Sequence, residues 1–252
     1  MAHSHRLTHH RNMGSDLQTD HILVRKASER GHANHGWLRT FHSFSFADYF
    51  DPAHMGFRSL RVINDDIIAP RMGFPTHPHR DMEIFSYVLE GALAHQDSLG
   101  NSKTLTQGQI QLMSAGSGVF HSEFNPSPTE PVRLLQIWIT PNQRNLPPTY
   151  TEWHPSPEDF HSKKQLVISE DGRLGSAIIH QDASIFRIRL APGESTSHEL
   201  LAGRGLWLQI ASGNGSMNHI PLRQGDGATS ENPGTFEIHA DSALDALLFD
   251  LN

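Results

Sequence analysis

A chain of 252 residues with 37% hydrophobic content is long enough for one large β domain or two smaller ones. A formal charge of −7, with no stripe of Lys and Arg, argues against a nucleic-acid surface, and no apolar run is long enough to span a bilayer. The absence of cysteine excludes disulfides, thiolate-ligated zinc and a cysteine nucleophile.

Residues 1–21 are polar, lack hydrophobic periodicity and hold five of the 19 histidines: His3, His5, His9, His10 and His21. They are expected to form a disordered extension with no part in the chemistry. Without the apolar core of a signal peptide, the expected compartment is the cytoplasm; the default oligomeric state is a monomer. Beyond residue 21 the chain reads as short strands punctuated by Gly, Pro, Asn and Asp, the pattern of an all-β fold. Trp37, Phe41, Phe44, Phe46, Tyr49 and Phe50 form an aromatic-rich stretch expected to serve core and lid packing. Within and around it, His32, His35, His42 and His54 read as hydrogen-bonded or exposed single residues.

Residues 60–63 predict a strand, with Asn64-Asp65-Asp66 as the turn that follows. Residues 83–89 predict a strand ending at Glu90-Gly91, and residues 97–101 have hairpin-turn composition. Residues 110–113 predict another strand, and 132–139, apolar on both faces except at Arg133 and Gln136, a buried central one. Residues 141–163, rich in proline at their centre, read as a linker, with a short helix at 158–164. The strand-and-turn rhythm then resumes. Residues 222–227 resemble the turn at 106–108, and 246–251 resemble 134–139, so two β modules of similar order are expected, 22–140 and 164–252.

His77 and His79 are separated by one residue, as are His121 and Glu123. In a strand, residues i and i+2 share a face. Two such strands facing each other present three imidazoles and one carboxylate, a set suited to a first-row transition metal with open coordination positions. The imidazoles must be neutral to bind, so occupancy is expected to fall at low pH. Glu83, four residues after His79 on the same predicted face, is expected to support a ligand imidazole from behind. In the second module Ser195-Thr196-Ser197-His198 stands where the first has its histidine pair, and nothing between 227 and 236 corresponds to His121. No metal site is expected there. No Ser-His-Asp elbow or phosphate-binding glycine loop is present.

The segment Gly73-Phe74-Pro75-Thr76-His77-Pro78-His79-Arg80-Asp81-Met82-Glu83, followed by Tyr87-Val88-Leu89-Glu90-Gly91, resembles the first cupin motif in its pirin form. Met113-Ser114-Ala115-Gly116-Ser117-Gly118-Val119-Phe120-His121-Ser122-Glu123 resembles the second. Residues 30–38, 44–46 and 61–66 are similar to the bacterial branch of the pirins, and the resemblance covers residues 22–252. It implies a bicupin, two packed antiparallel β-barrel (jelly-roll) domains with metal only in the N-terminal one. The implied ligands are His77, His79, His121 and Glu123. Fe(II) is the preferred metal by analogy; copper, nickel, cobalt, manganese and zinc suit the same donors.

Bacterial members of the branch are described as quercetin 2,3-dioxygenases. The resemblance therefore implies a metal that lowers the pKa of a flavonol 3-hydroxyl, Glu123 as the catalytic group accepting its proton, and reaction with dioxygen that opens the heterocycle and releases carbon monoxide. Phe57, Phe74 and Met113 are the expected pocket lining. The alternatives are a redox-sensitive regulatory pirin acting through a protein partner without turnover, and a cupin isomerase or small-molecule sensor.

Overall fold

The computed structural model describes residues 21–156, 159 and 162–252. Of the expected disordered extension, all but His21 lies outside the described residues, as do residues 158, 160 and 161 of the expected helix at 158–164; Lys164 opens a strand, Lys164–Ser169. Among the described residues there is no α-helix, and no helix long and apolar enough to cross a membrane.

Each module pairs a seven-stranded sheet with a four-stranded one. In the first, the small sheet runs Gly73–His79, Val119–Phe124, Ala92–Asp97, Ser102–Thr106. The large sheet runs Thr149–Trp153, Ile110–Ser114, Glu83–Glu90, Val132–Ile139, Leu60–Ile68, Leu38–His42, Gly31–Asn34. The second module repeats this plan. Its small sheet runs Ser195–Leu200, Gly234–Ala240, Asn214–Met217, Ile220–Arg223, and the centre of its large sheet is Gly205–Ser212, Leu244–Leu251 and Ala183–Leu190. No strand is shared between a large sheet and its small partner, so the modules are two-layer cupin-type sandwiches and not the closed barrels expected from the resemblance.

The modules exchange edge strands. Leu23–Arg25, which precedes the first module, pairs with Gly227–Ser230 of the second. Thr149–Trp153, within the segment read as a linker, pairs with Ile110–Ser114 of the first. Each large sheet is thus completed by the strand that precedes the other module. The proline count of 141–163 concealed this: the prolines flank the short strand and leave Thr149–Trp153 itself free of them.

The two large sheets pack against each other, and strict alternation sorts their side chains. Along Glu83–Glu90, Phe85, Tyr87 and Leu89 join Val167, Ile185, Trp207, Leu247 and Phe249 in the largest apolar cluster, which spans both modules. Ile84, Ser86 and Val88 point the other way, into the first sandwich. At roughly 1.5–3 kcal/mol per buried large side chain, this shared cluster holds the modules as one unit.

Polar contacts fix the register of the interface. Arg133 donates to both oxygens of Asp65, at 2.9 and 3.0 Å, and to the carbonyl of Ala211 in the second module at 2.8 Å. The Tyr87 hydroxyl lies 2.8 Å from each carboxylate oxygen of Asp245. Replacing Tyr87 with Phe removes that donor and keeps the ring, so Tyr87→Phe is expected to lower unfolding stability by about 1–2 kcal/mol in chemical denaturation. An unchanged midpoint would show that the contact does not contribute.

Candidate metal centre

The small sheet of the first module carries the histidines. Gly73–His79 is its edge strand, where Pro75 and Pro78 cost few ladder hydrogen bonds. His77 lies directly opposite His121 in register, and their Nε2 atoms are 3.0 Å apart. Gly73 allows the two strands to approach: a Cβ there would lie 2.2 Å from the Glu123 carbonyl oxygen. Gly116, at φ +46°, turns the chain into Val119–Phe124, and a Cβ there would lie 2.1 Å from the Leu146 carbonyl oxygen.

His77, His79 and His121 each offer a ring nitrogen, all within 4.8 Å of one another. His77 Nδ1 is 2.8 Å from the Pro75 carbonyl oxygen, which requires the proton on Nδ1 and leaves the Nε2 lone pair directed at His121. Burial lowers His79 to about 4, with the charges of His121 and His77 adding to the shift and Glu123 opposing it. Burial likewise lowers His121 to about 3, helped by His77 and His95 and opposed by Asp97. Both rings are thus held neutral among these closely grouped nitrogens, and His121 Nδ1 is buried without a hydrogen-bond partner. This donor set fits a divalent transition metal.

Glu123 reaches the centre differently. A bulge separates it from His121, and its oxygen forms a second close group with nitrogens of His95 and His121, again within 4.8 Å. The carboxylate accepts from Gln111 Nε2 at 2.6 Å and from Gln136 Nε2 at 3.2 Å. The Ser86 hydroxyl stands 3.0 Å from Glu123 Oε1 and 2.5 Å from Gln136 Oε1, with one proton to serve them. Gln111, Ser86 and Gln136 are register partners on three adjacent strands of the large sheet. The same row continues through Asn64 to His42, whose Nδ1 lies 2.7 Å from Asn64 Oδ1. A line of polar residues thus crosses the large sheet and meets the Glu123 carboxylate, which descends from the opposite layer.

Three expectations change. Glu83 does not support the histidines: it shares the interface face of its strand, accepts from the Ser114 hydroxyl at 2.6 Å and contacts His180 of the second module. Residues 77 and 79 belong to a different sheet from residue 83, so alternation could not be carried across the turn at 80–82. Asn64-Asp65-Asp66 is not a turn; all three lie inside the strand Leu60–Ile68 and are buried. Asp65 is held by Arg133 and Arg30, and the other two line the cavity, so tertiary partners override turn propensity. Third, the aromatic stretch is divided: Phe44 enters the core shared by the modules, whereas Trp37, Phe46 and Tyr49 line the cavity beside the histidines.

That cavity has a volume of about 780 Å³, with His77, His79 and Glu123 at one side and Phe74, Pro75 and Trp138 beside them. Of the three expected lining residues only Phe74 is present; Phe57 packs on the interface cluster and Met113 is buried with Ile84, Ala115 and Val119. His32, His35 and His42 also line it. His95, missed in the sequence, stacks on Tyr150 with centroids 4.9 Å apart and is bonded to Asp97 at 3.1 Å. Its only sequence signal was its place just before the hairpin-turn composition at 97–101. In the second module His198 is bonded to Asp250 at 2.8 Å and to Lys164 at 2.9 Å; among the described residues no close metal-binding group occurs there.

The fold and the histidine cluster define a two-module cupin with a candidate metal centre in the first module. Residues 23–139 match the sequence profile of Pirin, and residues 166–251 that of the quercetinase C-terminal cupin domain. The chain is 49% identical over 230 residues to the Escherichia coli K12 protein named quercetin 2,3-dioxygenase, covering 91% of this chain and 98% of that one. It is 40% identical to a putative quercetin 2,3-dioxygenase of Pseudomonas aeruginosa, covering 91% and 100%. The crystal structure of the bacterial pirin YhhW from E. coli in complex with nickel(II) superposes with a TM-score of 0.87 at 49% identity, covering 91% of this chain and 98% of that one. The chain belongs to the pirin family.

The lowered histidines have a signed consequence for the metal-free protein. Below about 6.5 the unfolded chain takes up protons on these rings, while the folded chain does not until about 4 at His79 and about 3 at His121. Each ring therefore removes folding stability as pH falls through that window. In NMR titrations of metal-free protein, the His79 and His121 ring signals are expected to stay in the neutral form from pH 8 to about 5.5. Midpoints near 6.5 would contradict this burial.

Proposed function

We propose that the chain is a metal-dependent dioxygenase of the pirin type that cleaves the heterocycle of flavonols such as quercetin, consuming dioxygen and releasing carbon monoxide. The observation that carries this is an aromatic-walled cavity, large enough for a three-ring substrate, that reaches His77, His79 and Glu123, with His121 grouped closely with His77 and His79. The assignment of His77, His79, His121 and Glu123 as ligands is supported by the two close groups that share His121 and by the family resemblance. A divalent metal bound there supplies Lewis acidity toward a substrate oxygen and a low-cost path for electrons to dioxygen.

The chain's own residues supply the rest. Trp37, Phe46, Tyr49, Phe74 and Trp138 offer ring faces and edges that orient a planar substrate and displace water. Glu123 accepts the proton of the flavonol 3-hydroxyl. Gln111 and Gln136 hold its carboxylate in place, and Ser86 steadies it from the strand between them. Fe(II) is the metal favoured by analogy, and nickel(II), which YhhW holds in its crystal structure, suits the same donors. The substrate requires no nucleic acid or membrane, and the protein is taken to work in the cytoplasm as a monomer.

The test is aerobic loss of quercetin with stoichiometric carbon monoxide by metal-loaded protein. His121→Ala is expected to lower turnover at least about 100-fold, because its ring belongs to both close groups. Metal-loaded protein that consumes neither flavonol nor dioxygen would reject the proposal in favour of a regulatory pirin. A second variant, Gln111→Leu, is expected to lower kcat by roughly 10–100-fold with the metal retained, as the carboxylate loses its shortest donor.

A further inference from the structure

The cavity has a second polar end that the metal centre does not use. Thr40 and Asp66 are register partners on neighbouring strands, and both line the cavity. Each is 3% exposed. Beyond the contact between these two side chains, Asp66 Oδ1 and Thr40 Oγ1 have no hydrogen-bond partner. A buried polar atom left in that state costs about 1–3 kcal/mol, so two side by side in a cavity wall mark a place where a bound molecule completes the bonding.

Their position sets what that molecule is. The strand of Asp66 lies two strands from the one carrying Ser86, and that of Thr40 lies three away. At about 4.8 Å per strand these are lateral offsets of roughly 10 and 14 Å. The cavity walls combine aromatic and aliphatic side chains, including Trp37, Leu38 and Phe46, with the amides of Gln136 and Asn64 and the ring of His42. An aromatic body carrying hydroxyls at separated positions matches this mixed lining. Burial raises Asp66 to about 7, opposed by a hydrogen bond from Thr40 and helped by the charges of Asp65 and Glu123, so the carboxyl is able to donate as well as accept near neutral pH. Thr40 has the same dual capacity. A phenolic hydroxyl, itself donor and acceptor, satisfies both.

We propose that Thr40 and Asp66 form a hydroxyl-recognition subsite that selects polyhydroxylated aromatic substrates by binding a phenolic hydroxyl remote from the one delivered to the histidine centre. The inference rests on the flavonol reading above and specifies which flavonols the site prefers. A site built around a hydroxyl discriminates strongly against the analogue that lacks it, because its buried polar groups are then left unpaired.

The experiment is anaerobic equilibrium binding to the full, nickel-loaded chain, using quercetin and 3-hydroxyflavone, which lacks the remote hydroxyls. Wild type is expected to favour quercetin at least about tenfold. In Thr40→Val and Asp66→Ala that ratio is expected to fall to within about twofold of unity, and Asp66→Asn, which keeps donor and acceptor, to restore most of it. Thr40→Val preserves side-chain shape, so it remains informative where Asp66→Ala lowers stability. Equal affinities in wild type, or an unchanged ratio in both variants, would overturn the subsite while leaving the flavonol reading intact. Binding of neither ligand would overturn the flavonol reading and the subsite with it.

Discussion

The site depends on one carboxylate held between two sheets. Glu123 descends from the small sheet and meets Gln111, Ser86 and Gln136 from three adjacent strands of the large one. An ionised carboxylate in this position requires such donors, since burying it without them costs more than a typical fold has in reserve. Its oxygen then falls within reach of His121, and His121 in turn faces His77 across the strand pair. Register, bulge and polar row together convert a sandwich core into a centre with a fixed donor set.

The rest of the fold keeps that register from slipping. The polar row occupies inward positions of strands whose other faces lie in the interface between the modules: Ser86 alternates with Phe85 and Tyr87, and Gln136 with Leu135 and Ile137. A one-residue slip would drive the row into that apolar interface. The exchanged edge strands add to this constraint, because Leu23–Arg25 and Thr149–Trp153 each tie one module to the chain leading into the other. Arg25 also donates to the Tyr49 hydroxyl at 2.9 Å and pairs with Asp51 at 3.3 Å, so the same strand that completes the second module anchors a wall of the cavity in the first.

The histidines were legible because a strand writes its face into the sequence every second residue, and two such pairs occur close together. The all-β class and the duplicated order were legible for the same local reason. Glu83 was misplaced because alternation holds only within a strand, and the turn at 80–82 moves the chain from one sheet to another. Gln111, Gln136, Asn64 and His42 carry no local signal: each lies on a different strand, and only lateral pairing aligns them. Asn64-Asp65-Asp66 has turn composition, and its burial depends on Arg30, Arg133 and a cavity built from distant segments. Edge-strand exchange was invisible because a three- or five-residue strand records nothing about its partner.

The most direct test of this account is the metal's coordination in solution. A chain lacking the first 20 residues removes the four histidines His3, His5, His9 and His10 as competing ligands. After loading with nickel(II), stoichiometry and X-ray absorption are expected to give one ion per chain bound by three imidazoles with oxygen donors. Loss of metal along with those residues, or a spectrum with fewer than two imidazoles, would contradict a centre built from His77, His79, His121 and Glu123.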